Sequence, residues 1–142
     1  MRWRTILAKR EHFRAAFHGF DVNRIARYTT RDVERLLKNA GIVRHRGKIE
    51  AVINNADRAK ELANREGSLA AYFWQYEPIS GARAHPQPAS ATPVLVALSK
   101  DMKRLGRTFV GPTTVYAFMQ AMGLVNDHAK NYVVRVKTEH AR

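Results

Sequence analysis

The chain has 142 residues, 45% of them hydrophobic and 26% charged, enough apolar matter for one domain that buries roughly two-thirds of its unfolded surface and too much for a disordered chain. Lys and Arg number 25 against 12 Asp and Glu, a formal charge of +13, and so large a cationic excess predicts a polyanionic partner, nucleic acid first among them, over a merely solubilising surface. The lack of cysteine excludes a disulfide framework and any thiolate metal site and fits a cytosolic protein, and no apolar run approaches the ~18–20 residues that cross a bilayer.

Met1-Arg2-Trp3-Arg4-Thr5-Ile6-Leu7 has no long apolar stretch and no small-residue cleavage site, so it reads as the opening of a folded helix and not as a secretory leader. Trp3, Ile6, Leu7, Phe13, Phe17 and Phe20 fall at helical spacing and predict one amphipathic helix ending near Gly19. Asp21 caps a short helix bearing Val22, Ile25 and Ala26, and Thr29 or Thr30 caps the next, with Val33, Leu36 and Leu37 facing inward. Gly41 follows that helix, where a left-handed C-terminal residue belongs. A long helix then places Ile49, Val52, Ile53, Ala56, Leu62 and Ala63 on one side; Gly67 closes it, and Ser68 caps a helix with Leu69, Tyr72, Phe73 and Tyr76. Trp74 sits among these aromatics and reads as core.

Residues 77–92 hold three of the five prolines and form a loop. Thr92-Pro93 is a cap followed by proline at the first helical position. The helix after it carries Val94, Leu95, Leu98, Met102 and Leu105 and ends at Gly106; a turn, Phe109-Val110-Gly111-Pro112, leads to a helix with Val115, Phe118, Met119 and Met122 that ends at Gly123. Period-two alternation is confined to Tyr132–Lys137, so the fold class is all-α.

Two helices joined by this glycine-containing turn make an anion site or an ordinary hairpin. Gly111 has no side chain to block a ligand, and the N–H groups that open the second helix favour an anion, with phosphate the natural occupant. Val110, Gly111, Thr113 and Thr114 are the candidate backbone contacts, and Lys100, Lys103, Arg104 and Arg107 add charge on the approach. A second candidate is the dense basic run Arg44, His45, Arg46 and Lys48, which is either a phosphate contact or charge at a helix end. Glu11, Glu34, Glu50, Glu61 and Glu66 alternate with cations and read as solvated helix faces.

The stretch Ala40-Gly41-Ile42-Val43-Arg44-His45-Arg46-Gly47-Lys48-Ile49 resembles a signature of the bacterial 3-methyladenine DNA glycosylase I family. Phe109-Val110-Gly111-Pro112-Thr113-Thr114, followed by Tyr116, Phe118, Met119, Gln120 and Gly123-Leu124-Val125-Asn126-Asp127-His128, is similar to that family's hairpin and following helix. Trp3-Arg4-Thr5-Ile6-Leu7-Ala8-Lys9-Arg10 with Phe13, Arg14, Phe17 and Phe20 resembles its early helix. The resemblance runs in order from Trp3 to His128, and its two long motifs together are specific.

The resemblance implies a helix-hairpin-helix domain over residues 1–128, a divergent tail over 129–142, and excision of 3-methyladenine from double-stranded alkylated DNA by a monomer in the bacterial cytosol or nucleoid. The damaged nucleotide would be turned out of the stack and its base held among aromatics. An N3-alkylated adenine is cationic and already a good leaving group, so the paired carboxylates of glycosidases are not required. Trp3 matches the family's base-pocket tryptophan and would stack on the base, although its spacing also suits core packing.

The family carries, ahead of the position matched by Trp3, further pocket aromatics and a glutamate that recognises the cationic base. No carboxylate of this chain matches that glutamate, which leaves the catalytic residue unknown. Asp127 lies loosely where the wider superfamily uses an aspartate, but better suits a helix cap beside Asn126. His128 matches a family zinc ligand, but the family's cysteine four residues on is Tyr132 here, and the other ligands belong to the preceding segment; neither a zinc site nor another cofactor is expected. Two alternatives follow from the shortened match: a DNA-binding fragment that grips the backbone without chemistry, and a remnant with uncovered apolar surface.

Overall fold

The computed structural model describes residues 3–77 and 92–124, and every regular element among them is helical. The chain falls into two compact units, Met1–Arg65 and Glu66–Arg142.

The first unit opens with α1 (Trp3–Ala8) and α2 (Arg10–Ala16), a 3-10 turn (His18–Phe20) and α3 (Val22–Ile25). The single helix expected up to Gly19 is therefore broken twice. At Lys9 the ladder tightens, the Lys9 N–H bonding the Ile6 carbonyl three residues back at 3.1 Å, and the Lys9 ammonium reaches across the fold to the Ala40 and Gly41 carbonyls at 2.9 and 3.1 Å. After Phe17 the residues His18, Gly19 and Phe20 have φ of 51°, 66° and 60°, which no right-handed helix can accommodate. Asp21 then starts α3 as expected, its carboxylate accepting from the Arg24 N–H at 3.1 Å.

In α4 (Thr30–Lys38) the Thr29 cap is held by Asp32, whose carboxylate accepts from the Thr29 N–H at 3.0 Å and from its hydroxyl at 3.3 Å. Gly41 is not the left-handed residue expected there, for its φ is not positive. Its glycine is a matter of room: a Cβ would lie 3.0 Å from both Asn39 Oδ1 and His12 Cδ2. The long helix α5 (Arg46–Glu66) begins with the Lys48 N–H bonded to His45 Nδ1 at 3.2 Å. Ala16, Phe17, Ile25, Val33, Leu36, Ile42, Ile49 and Ala56 form the core, with Phe13, Leu37, Val52 and Ile53 half-buried against it. Phe17 stacks on Phe20 and Tyr28, with centroids 5.7 and 6.4 Å apart. Each fully buried Leu, Ile or Phe contributes about 1.5–3 kcal/mol. Glu11, Glu34, Glu50 and Glu61 are exposed as expected, Glu11 with Arg14 at 2.9 Å and Glu61 with Arg58 at 2.8 Å, whereas Glu66 is half-buried.

The second unit contains α6 (Leu69–Trp74), α7 (Pro93–Arg104) and α8 (Pro112–Ala121). Ser68 caps α6 through the Ala71 N–H at 3.0 Å, and Thr92 caps α7 ahead of Pro93. Tyr72 is buried and Phe73 packs on Phe118 at 4.7 Å, but Trp74 is 44% exposed. The core reading of Trp74 is thus corrected: it projects away from the face on which Tyr72 and Tyr76, four residues apart, meet α7. Leu95, Leu98, Val115, Met119 and Leu124 are buried, and α7 packs against α8. The loop expected at 77–92 and the tail at 129–142 lie outside the described residues, apart from their edges at Glu77 and Thr92.

Candidate nucleic-acid interface

Helix α7 ends in a Schellman motif: the Gly106 N–H bonds the Lys103 carbonyl at 2.9 Å, the Arg107 N–H bonds the Met102 carbonyl at 3.0 Å, and Gly106 has φ 79°. Helix α8 ends in the same way, with Gly123 at φ 74° and the buried Leu124 N–H bonded to the Met119 carbonyl at 2.9 Å. Two sharply stopped helices with a fixed turn between them form a helix-hairpin-helix.

At the turn, Phe109 takes a left-handed φ of 57° although it carries a side chain, and is itself 57% exposed. Strain of this kind gathers where geometry serves function. Val110 is buried, and its carbonyl accepts a 2.7 Å hydrogen bond from Ser99, which is 2% exposed on α7. Ser99 was missed in the sequence, where its one signal is a polar residue on the apolar face shared by Leu95 and Leu98.

Gly111 begins α8 with φ −66° and ψ 163°, no side-chain cap and, among the described residues, nothing within 4 Å of where a Cβ would stand. Neither its backbone angles nor its packing requires glycine. Pro112 has no N–H, and the first bond inside α8 is from the Val115 N–H to the Gly111 carbonyl at 3.0 Å. The N–H groups of Thr113 and Thr114, both exposed, precede the helical ladder and have no partner within it. None of the residues in that first turn is acidic. The open approach, positive helix end and lack of an acid in the first turn suit an anion.

The flanking cations separate into two groups. Lys100 and Lys103 are exposed, and Arg104 is exposed but bound to Asp101. Arg107 is only 6% exposed, with its guanidinium carbon 5.9 Å from the centroid of the Tyr72 ring, so its charge is not presented with the others. Asp101 links α6 to α7, accepting from the Tyr72 hydroxyl at 2.6 Å and the Tyr76 hydroxyl at 3.0 Å. Burial alone would push the Asp101 carboxyl up, but hydrogen bonds from Tyr72, Arg104 and Tyr76 outweigh it and hold the carboxyl below its ordinary value. Burial and the Asp101 carboxylate push the Tyr72 phenol far up.

In the first unit, Arg44 and Lys48 are exposed, whereas Arg46 is engaged by Glu34 and, at 3.6 Å, by Glu50. The basic run is therefore partly neutralised; the Glu50 pairing follows from i,i+4 spacing, whereas the Glu34 pairing spans 12 residues and leaves no local pattern. Lys48 also borders a cavity of about 440 Å³ lined by Ile6, Phe13, Phe17, Phe20, Val43, Ile49 and Val52. Among the described residues this lining holds no carboxylate and one cation, the wrong sign for a cationic base. Trp3 is 74% exposed on the first turn of α1, so it is not core and stands available for stacking. Asp127 and His128 lie outside the described residues. Among the described residues no group of three His, Asp or Glu could hold a metal ion, and the sequence has no cysteine; the donor set for a family zinc is not assembled there.

The methyladenine glycosylase family model matches residues 1–135. The chain is 43% identical over 130 residues to DNA-3-methyladenine glycosylase 1 of Escherichia coli, covering 89% of this chain and 70% of that protein. It is 39% identical over 133 residues to DNA-3-methyladenine glycosylase of Haemophilus influenzae, with the same coverage. Among solved structures, a 3-methyladenine DNA glycosylase I superposes with a TM-score of 0.79 at 46% identity, over 94% of this chain and 75% of that one. The Staphylococcus aureus enzyme, solved to explain 3-methyladenine recognition, superposes with a TM-score of 0.83 at 31% identity, over 95% and 74%. The chain belongs to the methyladenine glycosylase family.

Proposed function

We propose that the protein is a DNA-repair hydrolase, a DNA-3-methyladenine glycosylase, which cleaves the N-glycosidic bond of 3-methyladenine in alkylated DNA. Family membership supports the reaction, and the observation that carries the reading into this structure is Gly111, a glycine that neither conformation nor packing demands. Close approach of a phosphate to the start of α8 gives it a reason.

In this reading the Gly111, Thr113 and Thr114 N–H groups hold one backbone phosphate, Val110 shapes the turn, and Arg44 and Lys48 add contacts from the first unit. Arg46 joins them by exchanging Glu34 and Glu50 for phosphate, and Arg107 supports the turn from beneath through Tyr72. The damaged nucleotide leaves the stack and Trp3 stacks on its base, worth about 1–3 kcal/mol. The C1′–N bond then breaks, its electron pair passes to the cationic base, which departs neutral, and water adds to C1′ with loss of a proton. Asp127 is carried as the candidate carboxylate for the positive charge that develops on the sugar. The domain comprises residues 1–128, within the matched stretch, and 129–142 is a divergent tail whose first residues the match still covers. The substrate is duplex DNA, and the chain acts as a monomer in the bacterial cytosol. The relatives named above come from bacteria, and no described helix is long and apolar enough to cross a membrane.

The test is release of free 3-methyladenine from methylated duplex DNA by this chain. Release slowed at least ~5-fold by Trp3→Ala, the kinetic equivalent of about 1 kcal/mol of lost stacking, is the expected result. Salt-sensitive binding without release would leave a DNA-gripping module, and loss of both would sink the reading.

A further inference from the structure

The outer face of α4 carries a feature that the reaction above does not use. Thr30, Arg31, Glu34, Arg35 and Lys38 line a groove of about 520 Å³. Arg31, Arg35 and Lys38 stand at spacings of four and three residues, which puts them in one stripe along the helix. The nearby acids are already engaged. Glu34 is paired with Arg46 from α5, and Asp32 is taken up by the Thr29 N–H at 3.0 Å and by Arg35 at 3.4 Å. Arg35 is further held over the Tyr28 ring, 5.7 Å from its centroid, with Nη1 donating to the Ala16 carbonyl at 3.4 Å. Arg31 and Lys38, both exposed, have no acidic partner among the described residues and lie at the two ends of the stripe.

The position of Arg31 is informative in itself. It is the second residue of α4, where the positive end of the helix disfavours a cation. A residue placed against its local electrostatics points to a demand from outside the helix. The rise from Arg31 to Lys38 is about 10 Å, and two long cationic side chains that far apart can each reach a different phosphate of one strand.

We propose that the α4 groove is a second DNA-backbone contact, separate from the hairpin, in which Arg31 and Lys38 each take a phosphate and the fixed Arg35 sits between them. This rests on the DNA-binding reading above. The test is the double variant Arg31→Gln, Lys38→Gln binding an undamaged duplex at KCl concentrations from about 50 to 200 mM. The slope of log affinity against log salt should become shallower by about 1.8, so that affinity changes roughly tenfold less across that range. The melting temperature should hold, because both side chains are exposed. An unchanged slope in a folded variant overturns the groove contact and leaves the glycosylase reading standing. Failure of the wild-type chain to bind duplex at all overturns both. Loss of binding to phosphatidylserine vesicles with an unaltered DNA slope assigns the groove to a membrane surface and also overturns the proposal.

Discussion

Asp101 receives two phenolic hydrogen bonds, from Tyr72 and Tyr76, across 29 and 25 residues of chain. Hydrogen bonds to a charged group contribute about 1.5–3 kcal/mol. Tyr72→Phe keeps the ring, which sits edge-on to Phe73 at 5.1 Å, and removes the shorter bond. It should therefore destabilise the protein by about 1.5–3 kcal/mol in urea denaturation at neutral pH. The same cluster sets a pH dependence. The folded-state carboxyls of Asp101 and Asp32 are both held below the ordinary value of 3.8, so their contribution is present above that value and is lost as pH falls through their folded values. Stability should decline steeply below about pH 4, with a shallower decline in Asp101→Asn. An identical acid limb in that variant would remove Asp101 from the account. The Asp101 cluster was not legible in the sequence, because a contact made across 29 residues leaves no local periodicity, and the burial of Arg107 over Tyr72 was hidden for the same reason; the Asp32 contacts, by contrast, lie within one helical turn.

Helix boundaries were far more legible, since each is decided within a turn or so of chain. Asp21, Thr29, Ser68 and Thr92 all sit at the helix starts expected of them; Asp21, Ser68 and Thr92 each accept from an N–H three residues on, and Thr29 is held by the Asp32 carboxylate. The break after Phe17 was not legible, as His18 and Phe20 have left-handed angles that their residue types do not advertise. Glycines divide along the same line, and the hairpin gives a paired prediction. Gly106 at φ 79° closes α7, so Gly106→Ala should cost about 1–2 kcal/mol through backbone strain alone. Gly111 at φ −66° faces open space. There Gly111→Ala should leave stability unchanged or raise it by about 0.4–1 kcal/mol, while weakening binding to duplex DNA. Chemical denaturation and binding measured on the same preparations separate the two. If Gly111→Ala bound DNA as well as the wild type, the hairpin would lose its assigned phosphate.

At the scale of the whole molecule, net charge is the property the sequence states outright, but it does not say which cations are available. Arg35, Arg46 and Arg104 are engaged by acids and Arg107 is buried. Arg31, Lys38, Arg44, Lys48, Lys100 and Lys103 are exposed and have no acidic partner among the described residues. These six are spread over both units, four in Met1–Arg65 and two in Glu66–Arg142. If each releases one counterion on binding, the log–log salt slope for an undamaged duplex is about −5, and affinity falls by about a thousandfold between 50 and 200 mM salt. Fluorescence anisotropy across that range measures it. A slope shallower than about −2 would mean that most of these cations never meet phosphate. The excess of +13 would then serve solubility, and the hairpin would bear the contact with DNA alone.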